Sequence, residues 1–88
     1  MDKCAFCLKL KEMIKKGERP FDKMSDSAKD ANLKNIEKNI NNVSGFCRGF
    51  PLCASHVLTI KRDNKYRISK GLDIPKNLDI VRLSGGDY

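Results

Sequence analysis

Two pairs of soft metal ligands bracket more than half of this 88-residue chain: Cys4 and Cys7 in C-A-F-C at one end, Cys53 and His56 in C-A-S-H at the other. A two-residue gap lets both side chains of a pair reach one ion. Two such pairs together are the pattern of a closed tetrahedral site. Five soft groups compete for four positions, because Cys47 lies six residues before Cys53 across a loop containing Gly49 and Pro51. The tight pairs are favoured, since each closes a small chelate loop and ordering one ligand largely orders the other. The expected ligands are therefore Cys4, Cys7, Cys53 and His56 on Zn²⁺, with Cys47 as the alternative that would leave His56 outside.

A chain of this length forms one domain, residues 1–88, and buries only about 60–65% of its unfolded surface, so a structural metal would supply stability that the core lacks. Met1 is followed by Asp2, Lys3 and a cysteine rather than by an apolar signal segment, and no apolar run reaches the roughly 20 residues of a membrane span. A cytoplasmic, reducing setting is expected. There the cysteines serve as metal ligands rather than cystines.

Capping residues and apolar spacing outline two helices. Cys7, Leu10, Met13 and Ile14 form a stripe within Cys4 to Lys16, with Asp2 able to cap the start and Gly17 the end. Residues 18–24 read as a loop around Pro20, with Phe21 and Met24 turned inward. Ser25 or Ser27 then caps a second helix whose face is Ala28, Leu33, Ile36, Ile40 and Val43, running to about Asn42 before Ser44 and Gly45 break it. The ligand-dense stretch 45–56 reads as a loop. After it, V-L-T-I-K-R and K-Y-R-I-S-K flank Asp63-Asn64, which predicts a β-hairpin over 57–70. A helix is the rival, since in many zinc folds the second ligand pair occupies a helix's first turn. The β-branched Val57, Thr59 and Ile60 favour strand. A third short strand is expected from Asp79 to Leu83, stopped by Gly85-Gly86. The fold class is thus α+β: two N-terminal helices, a C-terminal hairpin and a short strand, stapled by one structural zinc.

An N-terminal C-x-x-C completed by a later C-x-x-H resembles treble-clef and related zinc-finger modules, and P-L-C-A-S-H at 51–56 looks like the second half of one. The resemblance implies zinc binding and a small α+β fold. It implies no particular activity.

Charge narrows the partners. The net charge is +7, and residues 48–70 carry Arg48, Lys61, Arg62, Lys65, Arg67 and Lys70 against Asp63 alone. An anionic partner is expected, most simply nucleic acid, with those six cations on phosphates and Tyr66 stacking on a base. The alternative is a stoichiometric factor or inhibitor docking on an acidic host protein through Phe46, Arg48, Phe50 and Leu52. Lys, Asn and Ile make up 27 of 88 residues, a bias associated with AT-rich genomes such as those of low-GC bacteria and their phages. No enzyme is expected. An HNH-type nuclease needs further histidines, and the one histidine, His56, is assigned to the metal.

Overall fold

The computed structural model describes residues 2–19 and 21–85. Pro20 of the expected loop and Gly86 of the expected stop lie outside them. The order is α1 (Ala5–Lys16), α2 (Asp26–Asn39), β1 (Val43–Cys47), β2 (Phe50–Cys53), α3 (Ala54–Ser69) and the short α4 (Ile80–Gly85). The class is α+β, but the hairpin precedes the C-terminal basic segment instead of forming it.

Helix α1 begins at Ala5, one residue later than expected. Cys4 rather than Asp2 is its N-cap, its sulfur accepting from the Cys7 N–H. Gly17, at φ 68°, ends the helix in the left-handed conformation. The Gly17 N–H then reaches the Ile14 carbonyl and the Glu18 N–H the Met13 carbonyl, the paired bonds of a Schellman stop. Phe6, Cys7, Met13 and Ile14 form the buried face. Ser25 caps α2 by accepting from the Ala28 N–H. The helix stops at Asn39, short of the expected Asn42. The Ile40 carbonyl there accepts from the Cys4 N–H at 2.8 Å, which ties the end of α2 to the start of α1. Val43 consequently leaves the helical stripe and pairs with Cys53 in the sheet.

The stretch 45–56 is not a loop. β1 and β2 are antiparallel, with Cys47 opposite Phe50 and only Arg48-Gly49 between them. Both turn residues have positive φ, 53° and 79°, as the tight primed turns of two-residue hairpins require. Arg-Gly is a weak turn signal beside Asn-Gly, and Pro51 within the second run masks it as a strand. Gly45 allows close packing on α3: a Cβ there would sit 3.4 Å from Val57 Cγ2.

The expected hairpin over 57–70 is instead one continuous helix, α3, with Asp63-Asn64 at its centre. The strand preference of three β-branched residues spans only about 1 kcal/mol and yields to tertiary context. Here that context buries Ile60 completely and Asp63 almost completely. The expected strand over 79–83 is likewise α4. Asp79 caps it by accepting from the Arg82 N–H, and Ile80 and Leu83, three residues apart, share the buried side.

The hairpin lies against α1 on one side and α3 on the other, while α4 touches both helices. Besides apolar contact, one polar cluster locks these parts together. The Asp63 carboxylate, with no side-chain exposure, pairs with Arg48 from the hairpin turn, with Arg67 one turn along α3 and with Arg82 from α4. Arg82 is bidentate, at 2.8 and 3.2 Å, and Arg48 also donates to Asn64 Oδ1 at 2.8 Å. Burial alone would raise the Asp63 pKa, but hydrogen bonds from Arg82 and Arg48 hold it well below its ordinary 3.8. Its contribution to stability is therefore present above that value and drains away as the pH falls beneath it. Asp63→Asn leaves guanidinium groups buried without their counter-charge. Its expected cost is about 3–5 kcal/mol, measured by denaturant unfolding of the metal-loaded protein.

Candidate metal centre

Each ligand pair is built on the start of a helix. Cys4 is the N-cap of α1 and Cys7 its third residue; Cys53 is the N-cap of α3 and His56 its third residue. Side chains at the cap and at the third helical position lie on the same side of the opening turn, where a capping box normally closes. A two-residue gap in sequence thus becomes a two-pronged chelate in space. The fold brings the two helix starts together, and the four ligand atoms all lie within 4.8 Å of one another, in a group that can hold a metal ion.

The contacts are tight. His56 Nδ1 stands 3.4 Å from Cys4 Sγ, 3.4 Å from Cys7 Sγ and 3.2 Å from Cys53 Sγ, and Cys7 Sγ is 3.8 Å from Cys53 Sγ. The three cysteines are buried to within 2% exposure, so they are core residues as well as ligands. Cys53, unlike Cys4, makes no side-chain capping bond, and among the described residues its sulfur contacts only the other ligands.

Electrostatics favours a cation at the centre. Burial drives the Cys7 thiol far up from its ordinary value, and the neighbouring Cys4 and Cys53 sulfurs push it further. Burial also lowers the His56 pKa, which favours the neutral imidazole that binds metals. Ionised thiolates here need a positive partner. The N-terminal ends of α1 and α3 supply part of it through their aligned peptide dipoles, and a divalent ion would supply the rest. The Phe6 ring stacks on the imidazole at 4.1 Å between centroids and 17° between planes, which fixes the orientation that aims Nδ1 inward.

Cys47 stands apart from this group. It closes β1 beside the turn, half-buried and unbonded to any ligand sulfur.

The basic segment divides into two populations. Lys61, Arg62 and Lys65 are exposed on α3 and Lys70 at its C-cap, and Tyr66 lies at the edge of the same surface. Arg48 and Arg67 do not join them. The Arg48 side chain is 2% exposed and held by Asp63, so it is withdrawn from any phosphate, and Arg67 is shared between Asp63 and the Asp73 carbonyl. The six cations expected to meet phosphates together therefore do not share one surface. The expected protein-binding loop also disperses: Leu52 is fully buried, Phe50 packs against the core, Arg48 is internal, and only Phe46 stays exposed. Sequence reasoning missed the roles of Phe6 and Arg82. The adjacency of Phe6 to Cys7 within one helical turn was a usable signal for the first. None marked the second, because Arg82 lies 19 residues from Asp63.

No protein-family model matches the chain, and neither a curated protein nor a solved structure does. What the site can do follows from its own residues.

Two substitutions separate the ligand sets. His56→Ala should abolish stoichiometric metal binding in native mass spectrometry, whereas Cys47→Ser should retain one ion per chain. The reverse result would place Cys47 in the site.

Proposed function

We propose that the chain is a non-catalytic zinc module that binds nucleic acid through the outer face of α3. Support for zinc comes from the shape of the cluster. A tetrahedron with Zn–S near 2.3 Å and Zn–N near 2.0–2.1 Å has edges of about 3.8 Å between sulfurs and about 3.5 Å between sulfur and nitrogen. The Cys7–Cys53 sulfur distance of 3.8 Å and the sulfur–nitrogen distances of 3.2–3.4 Å approach those edges, and all four ligand atoms lie within 4.8 Å of one another. Four protein ligands with no carboxylate and no open position suit a structural role, and binding of this kind contributes on the order of 10 kcal/mol to folding. The three thiols of the cluster, like that of Cys47, would stay reduced in a cytoplasmic setting.

The observation that carries the nucleic-acid reading is the sorting of charge on α3. The helix's one acid, Asp63, is buried and neutralised from within, while Lys61, Arg62, Lys65 and Lys70 point outward and none of the four is in an ion pair among the described residues. Uncompensated cations on one exposed helical face are the electrostatic footprint of a phosphate backbone. A protein partner with an acidic surface is the second reading. It is favoured by Leu58 and Ile68, 59% and 67% exposed, beside the same lysines.

Salt dependence tests the first reading. With three to four phosphates engaged, the slope of log K against log salt should be about −3 on duplex DNA, and Lys61→Gln with Lys65→Gln should make it shallower by about 2. Arg48→Gln should leave the slope unchanged while lowering stability. Absence of binding at low salt, with a stoichiometric protein recovered from nuclease-treated lysate, would favour the protein partner instead.

A further inference from the structure

A cavity of about 290 Å³ opens between α1, α2 and α3 beside the metal cluster, with Phe6 and His56 among its lining residues. A second hollow of about 430 Å³ adjoins it, with Thr59 and Leu83 lining both. The second hollow adds Arg62 and Tyr66. The two form a groove that follows the Ser55, Thr59, Arg62 and Tyr66 stripe of α3, spaced three and four residues apart.

The opposite wall is chemically unusual. Asn32, Asn35 and Asn39, at helical spacing on α2, all line the first cavity. Asparagine is among the weaker helix formers, so three on one face of a single helix work against local propensity, and such departures concentrate at functional sites. The Asn32 amide nitrogen donates to the Ala28 carbonyl at 2.7 Å, and that of Asn39 to the Asn35 carbonyl at 3.0 Å. Each thereby keeps its side-chain oxygen as an uncommitted acceptor. The Asn35 side chain makes no hydrogen bond within the described residues, which leaves both a donor and an acceptor at the cavity wall.

We propose that this groove takes a single-stranded nucleic acid, with one unpaired base in the cavity and the adjoining backbone passing Arg62. The proposal rests on the nucleic-acid reading above and narrows it to the unpaired strand. Four features favour this occupant. The cavity lies at the lower end of the roughly 300–1,000 Å³ of small-molecule pockets, which suits one ring system. Phe6 and His56 already stack on each other, and a planar base extends that stack. Amide oxygens accept from exocyclic amino groups, and a free asparagine amide pairs in bidentate fashion with adenine. Arg62, and beyond it Lys61 and Lys65, meet the phosphates. A duplex keeps its bases stacked inside and cannot fill the cavity.

The test is fluorescence anisotropy of the metal-loaded full chain with short labelled strands of deoxyadenosine, deoxycytidine or deoxythymidine, and with a mixed-sequence duplex of equal length. Single strands should bind about tenfold tighter than duplex, with adenine and cytosine above thymine. Asn35→Ala with Asn39→Ala should abolish the preference among bases and leave the salt slope intact. Both changes raise helix propensity, so α2 is expected to remain folded, and circular dichroism checks it. Duplex bound as tightly as single strands, or a base preference that survives the double substitution, would overturn the groove and leave the α3 reading standing. Binding to neither form would overturn both.

Discussion

Everything else in this molecule depends on two helix starts meeting at one point. In each, a cysteine is the N-cap and a second ligand follows in the first turn. The same four residues therefore begin two helices, fill part of the core and offer a closed ligand set. Because Cys4 also donates its backbone N–H to the end of α2, the cluster fixes the directions of three helices. Three of the twelve buried apolar residues among those described are its cysteines. A core so dependent on thiols has little cohesion if those thiols repel or ionise without a cation.

A second clamp acts at the middle of α3. Arg48 sits in a turn conformation that is unfavourable for a side chain with a Cβ, and its guanidinium is buried against Asp63. That contact holds the hairpin turn against the middle of α3, while Arg82 brings α4 to the same carboxylate. The Cys/His cluster fixes where α3 begins, and the ion-pair cluster fixes how it is rotated. Rotation decides which side chains face solvent, since it places Lys61, Arg62 and Lys65 outward and turns the Ser55-to-Tyr66 stripe towards the groove.

The parts of this architecture legible in the sequence are those set by short-range chemistry. Gly17 ends a helix because few residues adopt its conformation, Ser25 starts one because its hydroxyl accepts a free N–H, and two-residue ligand gaps converge because chelation is local. What was hidden depends on partners far apart in the chain. Val57, Thr59 and Ile60 read as strand until the burial of Ile60 and the pairing of Asp63 with Arg48, 15 residues away, are known. For the same reason Arg48 and Arg67 read as surface cations, although a buried carboxylate claims them. The hairpin at 43–53 was concealed by an Arg-Gly turn and by a proline within a strand.

X-ray absorption at the zinc edge tests the central claim most directly. The chain loaded with one equivalent of zinc should show three sulfurs near 2.3 Å and one imidazole nitrogen at about 2.0–2.1 Å, with no further ligand. Four sulfurs would place Cys47 in the site, and an added oxygen shell would mean an open, non-structural centre. Either would contradict the account.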